Sequence, residues 1–401
     1  MACAMTLNTS SFRHAKPEQL ASALQNARNY TLSLFDYFAA AGLNTLAHVP
    51  YLPYINPPLW ELAHVVWVSE MYVLREAPSS DPALAPHPSI LPRGDEWFDS
   101  NTVAHLTRWH LDMPDTDAIK HYCSDVLERI LDKLQHGAQD EATLYPYRLV
   151  LAHEDMHGEA FAYTLQTLGL AAPLGLVKHV AEAWPSNEIE FSGGEVQLGS
   201  ELSEGFVFDN EKWAHSVAVP PFSMDSTLVS NAQYLAFILD GGYIKPQYWS
   251  PAGRIWLQQE KRAAPRYWQF DGESWSYARF NTDISLQGHE PVRHVSLHEA
   301  QAYCLWAGRR LPSEAEWEFA AISGKADFHW GDLWEWTATP FTPYPGFTPD
   351  IYREYSEPWF FTHQVLRGAS FATQARMRSP IYRNFYMPER DDMFVGFRTC
   401  A

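Results

Sequence analysis

Two histidines four residues apart are the clearest chemical signal in the sequence. The segment "LAHEDMHGEA" contains His153-Glu154-Asp155-Met156-His157, which has the H-E-x-x-H spacing that zinc peptidases use. On a helix, residues i and i+4 emerge on the same face, so both imidazoles can hold one metal ion. Two hydrogen-bonded histidines at a helix interface would show the same spacing, and the pattern alone does not separate these alternatives.

A third histidine favours a metal site. His64 lies in the apolar segment "WELAHVVWVSE", for which we predict a helix of a bundle. Together with His153 and His157, it places three imidazoles on two helices and leaves open positions on a metal ion. Three imidazoles suit iron, zinc and copper alike, so the ligand types do not select the metal.

A zinc peptidase would need features that this sequence lacks. In such an enzyme Glu154 would act as general base on a metal-bound water, and a third ligand would follow the motif. After His157 the next histidine is His179, and a G-x-x-H continuation is absent. A zinc peptidase therefore stays an alternative that zinc-dependent activity would favour. A binding protein without catalysis is a third alternative.

Four segments in the first 170 residues predict the helices that must position these histidines. Their apolar residues recur at helical spacing, and three of the segments end at glycine. The predicted helices cover residues 17–42, 57–77, 117–137 and 141–169. Four helices with polar connections indicate an antiparallel bundle. We expect this bundle to span residues 17–170, after a flexible N-terminus of residues 1–16.

The sequence changes character after residue 170. From "GGEVQLGS" onward the elements are short, rich in tryptophan, glycine and proline, and separated by long loops. One helix is clear, because Ser313 and Glu316 form the S-x-x-E pattern of a capping box. We therefore predict an α+β multidomain protein, with a linker at residues 171–188 and a mixed α/β domain at residues 189–401.

The composition excludes several classes of protein. With 46% hydrophobic and 19% charged residues, the 401-residue chain is typical of a soluble globular protein. Its formal net charge of −19 would repel nucleic acids and anionic membranes, and no apolar run is long enough to span a bilayer. The N-terminal sequence lacks a signal-peptide core and the four cysteines lie far apart, so we expect a cytoplasmic protein.

An ordered set of motifs in the second half resembles the formylglycine-generating-enzyme-like (sulfatase-modifying factor) domain. The motifs are "GGEVQLGS", "PVRHVSLHEAQAYCLWAGRRLPSEAEWEFAA", "LWEWTATPF", "VLRGASFAT" and "RNFYMPERDDMFVGFR". This resemblance implies a C-type-lectin-like fold for that half. Preceded by a DinB-like four-helix bundle with three histidines, it resembles the ergothioneine-type sulfoxide synthases, non-heme iron enzymes that use O₂ to couple hercynine to a thiol.

The resemblance also implies roles for individual residues. Iron(II) would be held by His64, His153 and His157, and Tyr352 would give a proton or hydrogen to the oxygen intermediate, with Tyr355 as the alternative. Hercynine would contact Met156, Asn384 and Phe385. An aromatic ring beside its quaternary ammonium is physically sensible, because the ring face attracts a cation.

Departures from the family pattern concern the second substrate, the donor. Sulfoxide synthases carry arginines that clamp the carboxylates of an amino-acid thiol, whereas "DEWFDSNTVAHLTRWHLDMPD" has Arg108 as its one basic residue, and Tyr386 replaces an aspartate. A buried zwitterion needs countercharges, so we expect a neutral polyol donor. The resemblance is greatest to the selenoneine synthases, which couple hercynine to a 1-selenosugar such as selenoglucose. The predicted donor-binding residues are Trp97, Asn101, Tyr386 and Arg390. A sulfoxide synthase acting on cysteine or γ-glutamylcysteine is the alternative.

Overall fold

The four long helices of the first half are the ones that the sequence predicts, and the short helix Gly94–Phe98 is an addition. The computed structural model describes residues 12–138, 140–202 and 205–401. Its helices are α1 (Pro17–Ala40), α2 (Pro58–Ser69), α3 (Gly94–Phe98), α4 (Thr116–His136) and α5 (Glu141–Thr167). A π-helical turn, Glu70–Leu74, extends α2. Both α1 and α2 pack against α4 and α5, which gives four long helices around one core.

Two of these helices are built differently because they bury different amounts of surface. On α1 the buried residues, such as Leu20, Leu24 and Phe38, fall on one face at helical spacing. All twelve residues of α2 are buried, including Glu61 and His64. A helix that is buried on every side lies in the protein core, so each polar residue on α2 needs an internal partner or a bound ligand.

The second half is a mixed α/β region. Its helices are α6 (Leu174–Val177), α7 (Asn231–Leu239), α8 (Pro251–Glu260), α9 (Leu297–Ala307) and α10 (Glu314–Ile322). Ser313 and Glu316 form the predicted capping box at the start of α10, which is confirmed.

The strands of this half form small sheets. They are β1 (Glu188–Phe191), β2 (Gly194–Leu198), β3 (His215–Val219), β4 (Phe222–Asp225), β5 (Trp268–Phe270), β6 (Trp275–Arg279), β7 (Thr282–Ser285), β8 (Trp334–Pro340), β9 (Gln364–Gly368), β10 (Asn384–Tyr386) and β11 (Val395–Gly396). The largest sheet has the order β10-β9-β8-β11, and β10 pairs antiparallel with β9. An α+β protein of this kind is what the sequence predicts.

The two halves meet along α5. Gln166 donates a hydrogen bond to the carbonyl of Ala278 (3.0 Å) and accepts one from the backbone N–H of Phe280 (2.7 Å). Two residues after His157, the Glu159 carboxylate accepts from the indole of Trp334 (2.8 Å) and the hydroxyl of Thr373 (2.7 Å). These bonds hold the largest sheet of the second half against the helix that carries two of the three histidines.

Part of the expected flexible N-terminus lies outside the described residues, namely residues 1–11. Residues 12–16 pack on the protein: Phe12 is buried, and the Arg13 guanidinium forms an ion pair with Glu211 of the second half (2.8 Å). Within the described ranges, no helix combines the length and apolar character that crossing a membrane requires.

Candidate metal centre

The structure brings the three histidines together. His64 projects from α2, and His153 and His157 project from adjacent turns of α5. One nitrogen from each imidazole lies within 4.8 Å of the other two. The ring centroids are 5.3 Å apart for His64 and His153, 5.2 Å for His64 and His157, and 4.5 Å for His153 and His157. His64 and His153 are buried, and His157 is partly exposed.

Hydrogen bonds fix the orientation of two of these rings. The Nδ1 of His64 lies 2.8 Å from the carbonyl oxygen of Phe98 in α3, and the Nδ1 of His157 lies 2.8 Å from the Glu61 carboxylate of α2. A carbonyl or carboxylate oxygen only accepts, so each Nδ1 carries the proton and each Nε2 keeps its lone pair. The Trp60 indole stacks on His64 at 5.1 Å and further restrains that ring.

His153 is different, because both of its ring nitrogens are buried and find no hydrogen-bond partner in the described part of the chain. Burial, followed by the neighbouring His157, lowers the pKa of His64 to about 3 and lowers that of His153 as well. The imidazoles of His64 and His153 are therefore neutral at pH 7, with lone pairs available. Three clustered imidazoles, one of them with no protein partner, fit a divalent transition metal.

The glutamate of the H-E-x-x-H motif does not face this cluster. Glu154 is buried and accepts two hydrogen bonds from the Arg28 guanidinium of α1, at 2.7 and 3.1 Å. A carboxylate held in a buried ion pair with α1 is not free to act as general base on a water molecule bound to a metal at His153 and His157. The zinc peptidase alternative is therefore contradicted by the geometry.

Tyr352 lies beside the histidine cluster. Its ring is edge-on to His153, with the centroids 5.7 Å apart. Burial, with the nearby carboxylates of Glu354 and Asp99, raises the pKa of Tyr352, so the phenol stays protonated. The alternative tyrosine, Tyr355, stacks on Phe208 at 4.9 Å instead.

The predicted hercynine-binding residues are divided between two faces of β10. Asn384 and Tyr386 share one face and line a cavity with Met156 of α5; Glu159, Trp334 and Tyr382 are among the other residues that line it. Phe385 points to the opposite face, where it stacks on Phe341 at 4.1 Å. Since successive residues of a strand alternate sides, these three neighbours cannot all face one ligand.

The predicted donor-binding residues are also not all together. Arg390 lies 5.2 Å above the Tyr386 ring, and its guanidinium is paired with the Asp392 carboxylate at 2.7 Å. Asn101 is exposed in the turn after α3. Trp97 is half-buried, and its indole N–H meets no acceptor in the described chain. The structure joins Tyr386 and Arg390 and leaves Asn101 at the surface.

Three residues near the cluster are absent from the predicted site. Glu61 precedes His64 by almost one helical turn, a spacing that could have revealed it as the partner of a histidine. Tyr163 follows Met156 by seven residues, also on one helical face, and its hydroxyl lies near that of Tyr386.

The third is Arg108. Its guanidinium stacks on the Trp60 ring at 4.0 Å and donates to the Asn56 side chain at 2.7 Å. Its hydrogen-bond partners are neutral, and burial lowers its pKa to about 10 although the nearby Glu61 carboxylate opposes this shift. Its electrostatic influence reaches both His64 and Tyr352. The sequence shows Arg108 as a lone basic residue but not its position beside the cluster.

Comparisons with known proteins find relatives of part of the second half and of nearly the whole chain. Residues 175–332 match the family of the Sulfatase-modifying factor enzyme 1-like domain. The hercynine oxygenase of Mycolicibacterium smegmatis is 32% identical, over 95% of this chain and 98% of that protein. The hercynine oxygenase of Mycobacterium tuberculosis is 31% identical over the same shares. The formylglycine-generating enzyme of Streptomyces coelicolor is 33% identical over 36% of this chain and 50% of its own length.

Proposed function

The chain belongs to the hercynine oxygenase family, and from that premise we propose that it uses iron(II) and O₂ to join hercynine to a selenium donor. The observation that carries the proposal is the cluster of His64, His153 and His157, whose nitrogens lie within 4.8 Å of one another. Nothing in the described protein satisfies His153, and a bound metal ion would.

The residues in and around the cluster would have distinct roles in metal binding, substrate binding and proton transfer. His64, His153 and His157 would hold iron(II), which when bound supplies the activation of O₂. Glu61 and the carbonyl of Phe98 keep two of the imidazoles in the correct tautomer. The cavity beside α5 would hold hercynine, and the protonated phenol of Tyr352 would supply a proton next to the reacting centre.

The overall reaction balances with one O₂. The imidazole C–H of hercynine and the Se–H of the donor are both lost, and a C–Se bond forms. One oxygen atom adds to selenium, and the other leaves as water with the two hydrogens. The four electrons that O₂ accepts come from these two bonds and from the oxidation of selenium. A thiol donor would follow the same balance, with sulfur in place of selenium.

Contacts in the donor region support a 1-selenosugar such as selenoglucose. The Tyr386 hydroxyl is within hydrogen-bonding reach of Tyr163, and the charge of Arg390 is already balanced by Asp392. Neither residue offers a free charge to an amino-acid zwitterion, whereas hydroxyl and aromatic groups suit a neutral polyol.

A second candidate is a sulfoxide synthase that joins hercynine to cysteine or γ-glutamylcysteine, and Arg108 favours it. This guanidinium lies beside the cluster and its hydrogen-bond partners are neutral groups, so it could receive one donor carboxylate.

The test is a mass-spectrometric competition assay. Iron(II)-loaded protein would receive hercynine, O₂, 1-selenoglucose, cysteine and γ-glutamylcysteine together. We expect a hercynine–selenosugar conjugate as main product. A sulfoxide conjugate of an amino-acid thiol would establish the second candidate, and Arg108→Met should then raise KM for that thiol about 10-fold or more. Absence of any hercynine conjugate would overturn both.

A further inference from the structure

The segment that carries Tyr352 is held from several directions. Tyr352 lies in an irregular connection between β8 and β9, not on a helix or a strand. Its phenol must stay near His153 for the proposed function, yet an irregular connection has no hydrogen-bond ladder of its own to fix it. The contacts of residues 350–356 with the rest of the protein therefore decide where Tyr352 stands.

Asp350 makes the central contact. Its carboxylate accepts a hydrogen bond from the hydroxyl of Tyr145 on α5 at 2.6 Å. The ammonium of Lys212, in the second half of the chain, lies 2.6 and 2.7 Å from its two oxygens. Both charged side chains are largely buried, with 22% of Asp350 and 15% of Lys212 exposed. A charge-assisted contact that excludes most water is stronger than a surface ion pair.

Further bonds hold the residues on either side of Tyr352. The hydroxyl of Ser80 donates to the carbonyl of Ile351 at 3.2 Å and accepts from the backbone N–H of Arg353 at 3.1 Å. Ser80 follows the π-helical turn that extends α2, the helix of His64. The hydroxyl of Ser356 donates to the Asp209 carboxylate. The backbone on either side of Tyr352 thus contacts the connection that follows α2, and the Asp350 side chain contacts α5.

The contacts with α5 set a register. Tyr145 and His153 are eight residues apart, about 12 Å along the helix axis. Asp350 contacts the first of them and Tyr352 contacts the second, so the segment is aligned with α5 at two points. Loss of the first contact frees the segment to slide or lift from the helix. A displacement of about 1 Å at a reacting group can lower a rate about 100-fold.

We propose that Asp350 is a positioning residue that holds Tyr352 against His153 through Tyr145 and Lys212; the catalytic consequence rests on the proposed function. Asp350 does not touch the histidine cluster, and its effect on the reaction passes through the Tyr352 ring. Asp350→Asn removes the charge that binds Lys212, whereas Tyr145→Phe removes only the hydrogen bond to α5.

The first test measures the environment of the Tyr352 ring and does not depend on an activity assay. Full-length protein would carry 3-fluorotyrosine at position 352 alone, and its ¹⁹F resonance would be recorded by NMR. We expect Asp350→Asn and Tyr145→Phe to move this resonance toward that of free 3-fluorotyrosine. Glu357→Gln is the matched control, since it removes the ion pair with Arg353 in the same segment without contacting α5, and should leave the resonance in place.

The second test measures the steady-state kinetics of the reaction. Asp350→Asn should lower kcat about 10- to 100-fold, with KM for hercynine changed less than about 2-fold. In a Tyr352→Phe variant, Asp350→Asn should not lower kcat any further, because both substitutions act through the phenol of Tyr352.

The outcomes separate the two proposals. An unmoved ¹⁹F resonance in both Asp350→Asn and Tyr145→Phe would overturn the positioning role, whatever the activity. If the resonance moves but Tyr352→Phe keeps the wild-type kcat, positioning stands and the assignment of Tyr352 as proton donor fails. Should Asp350→Asn not fold, Tyr145→Phe gives the same reading.

Discussion

The buried ion pairs of the second half and the histidine cluster of the first half differ in whether their buried polar groups have protein partners. In the second half, Arg398 and Glu335 are both fully buried and lie 2.7 Å apart, and Arg383 donates to Glu314 at 2.9 Å. In the first half, His153 is almost as deeply buried, yet neither of its ring nitrogens has a partner in the described chain.

This difference indicates what each region is for. An unpaired buried polar group costs free energy, so proteins keep few of them. Arg398 and Glu335 satisfy each other and fix the frame around β8. Both ring nitrogens of His153 are satisfied only when something else binds. The comparison predicts that changes to the ion pairs alter stability, whereas changes to the histidines alter metal binding and activity.

The largest effect on activity should come from His157→Ala. Removing one of three imidazoles should abolish metal retention and conjugate formation, because two imidazoles hold a metal much less tightly than three. The melting temperature of the metal-free protein should change little, since His157 is partly exposed. His105→Ala, a half-buried histidine of the same half, is the control and should keep its activity. Full activity of His157→Ala would contradict the assignment.

The largest effect on stability should come from Arg398→Met. It leaves the Glu335 carboxylate buried without its cation, which costs about 3–5 kcal/mol of unfolding free energy. Denaturant unfolding measures this loss, and iron binding by the folded variant should be unchanged. The double variant Arg398→Met/Glu335→Leu should recover part of the stability. A loss below about 1 kcal/mol for Arg398→Met would remove the contrast between the two regions.

A smaller effect is expected from Glu61→Gln. The Glu61 carboxylate orients His157 through its Nδ1–H, and a neutral amide is a poorer acceptor. Loss of such an orienting carboxylate lowers metal affinity about 10- to 100-fold. A competition titration with a metal-binding dye would measure it. Unchanged affinity would show that the hydrogen bond does not serve the metal site.

The smallest expected effect is a change in how stability depends on pH, and it arises in the second half. Burial raises the pKa of Glu299 to about 7, and its carboxylate accepts from Tyr243 (2.6 Å) and the backbone of Ser296 (2.7 Å). The folded state then binds this proton more tightly than the unfolded state, so stability falls as pH rises from about 4.5 to about 7.

Glu299→Gln replaces the titratable carboxyl with an amide that does not titrate. The melting temperature of the variant should therefore depend less on pH over this range. Above pH 7 the variant should be more stable than the wild type by on the order of 1 kcal/mol. Thermal unfolding between pH 5 and pH 8 measures both. Equal pH dependence of the two proteins would show that Glu299 is not protonated in the folded state.

Local sequence patterns predict much of this architecture. Helical spacing and terminal glycines predict the four long helices, and Ser313 with Glu316 predicts the start of α10. The i, i+4 spacing of His153 and His157 places them on one face, because that relation is set within a single helix.

Other features depend on contacts between distant segments. The pairing of Glu154 with Arg28, 126 residues away, decides that this glutamate is structural. The side on which Phe385 projects depends on how β10 packs, and the position of Arg108 depends on how an irregular connection lies over Trp60. No local pattern carries that information.

The iron content of the protein tests the central claim most directly. Wild type and the single variants His64→Ala, His153→Ala and His157→Ala would be reconstituted with iron(II) without oxygen, desalted and analysed for metal. We predict one iron per wild-type chain and far less than one in each folded variant. Stoichiometric iron in any of the three variants, or none in the wild type, would contradict the assignment of this cluster as the metal centre.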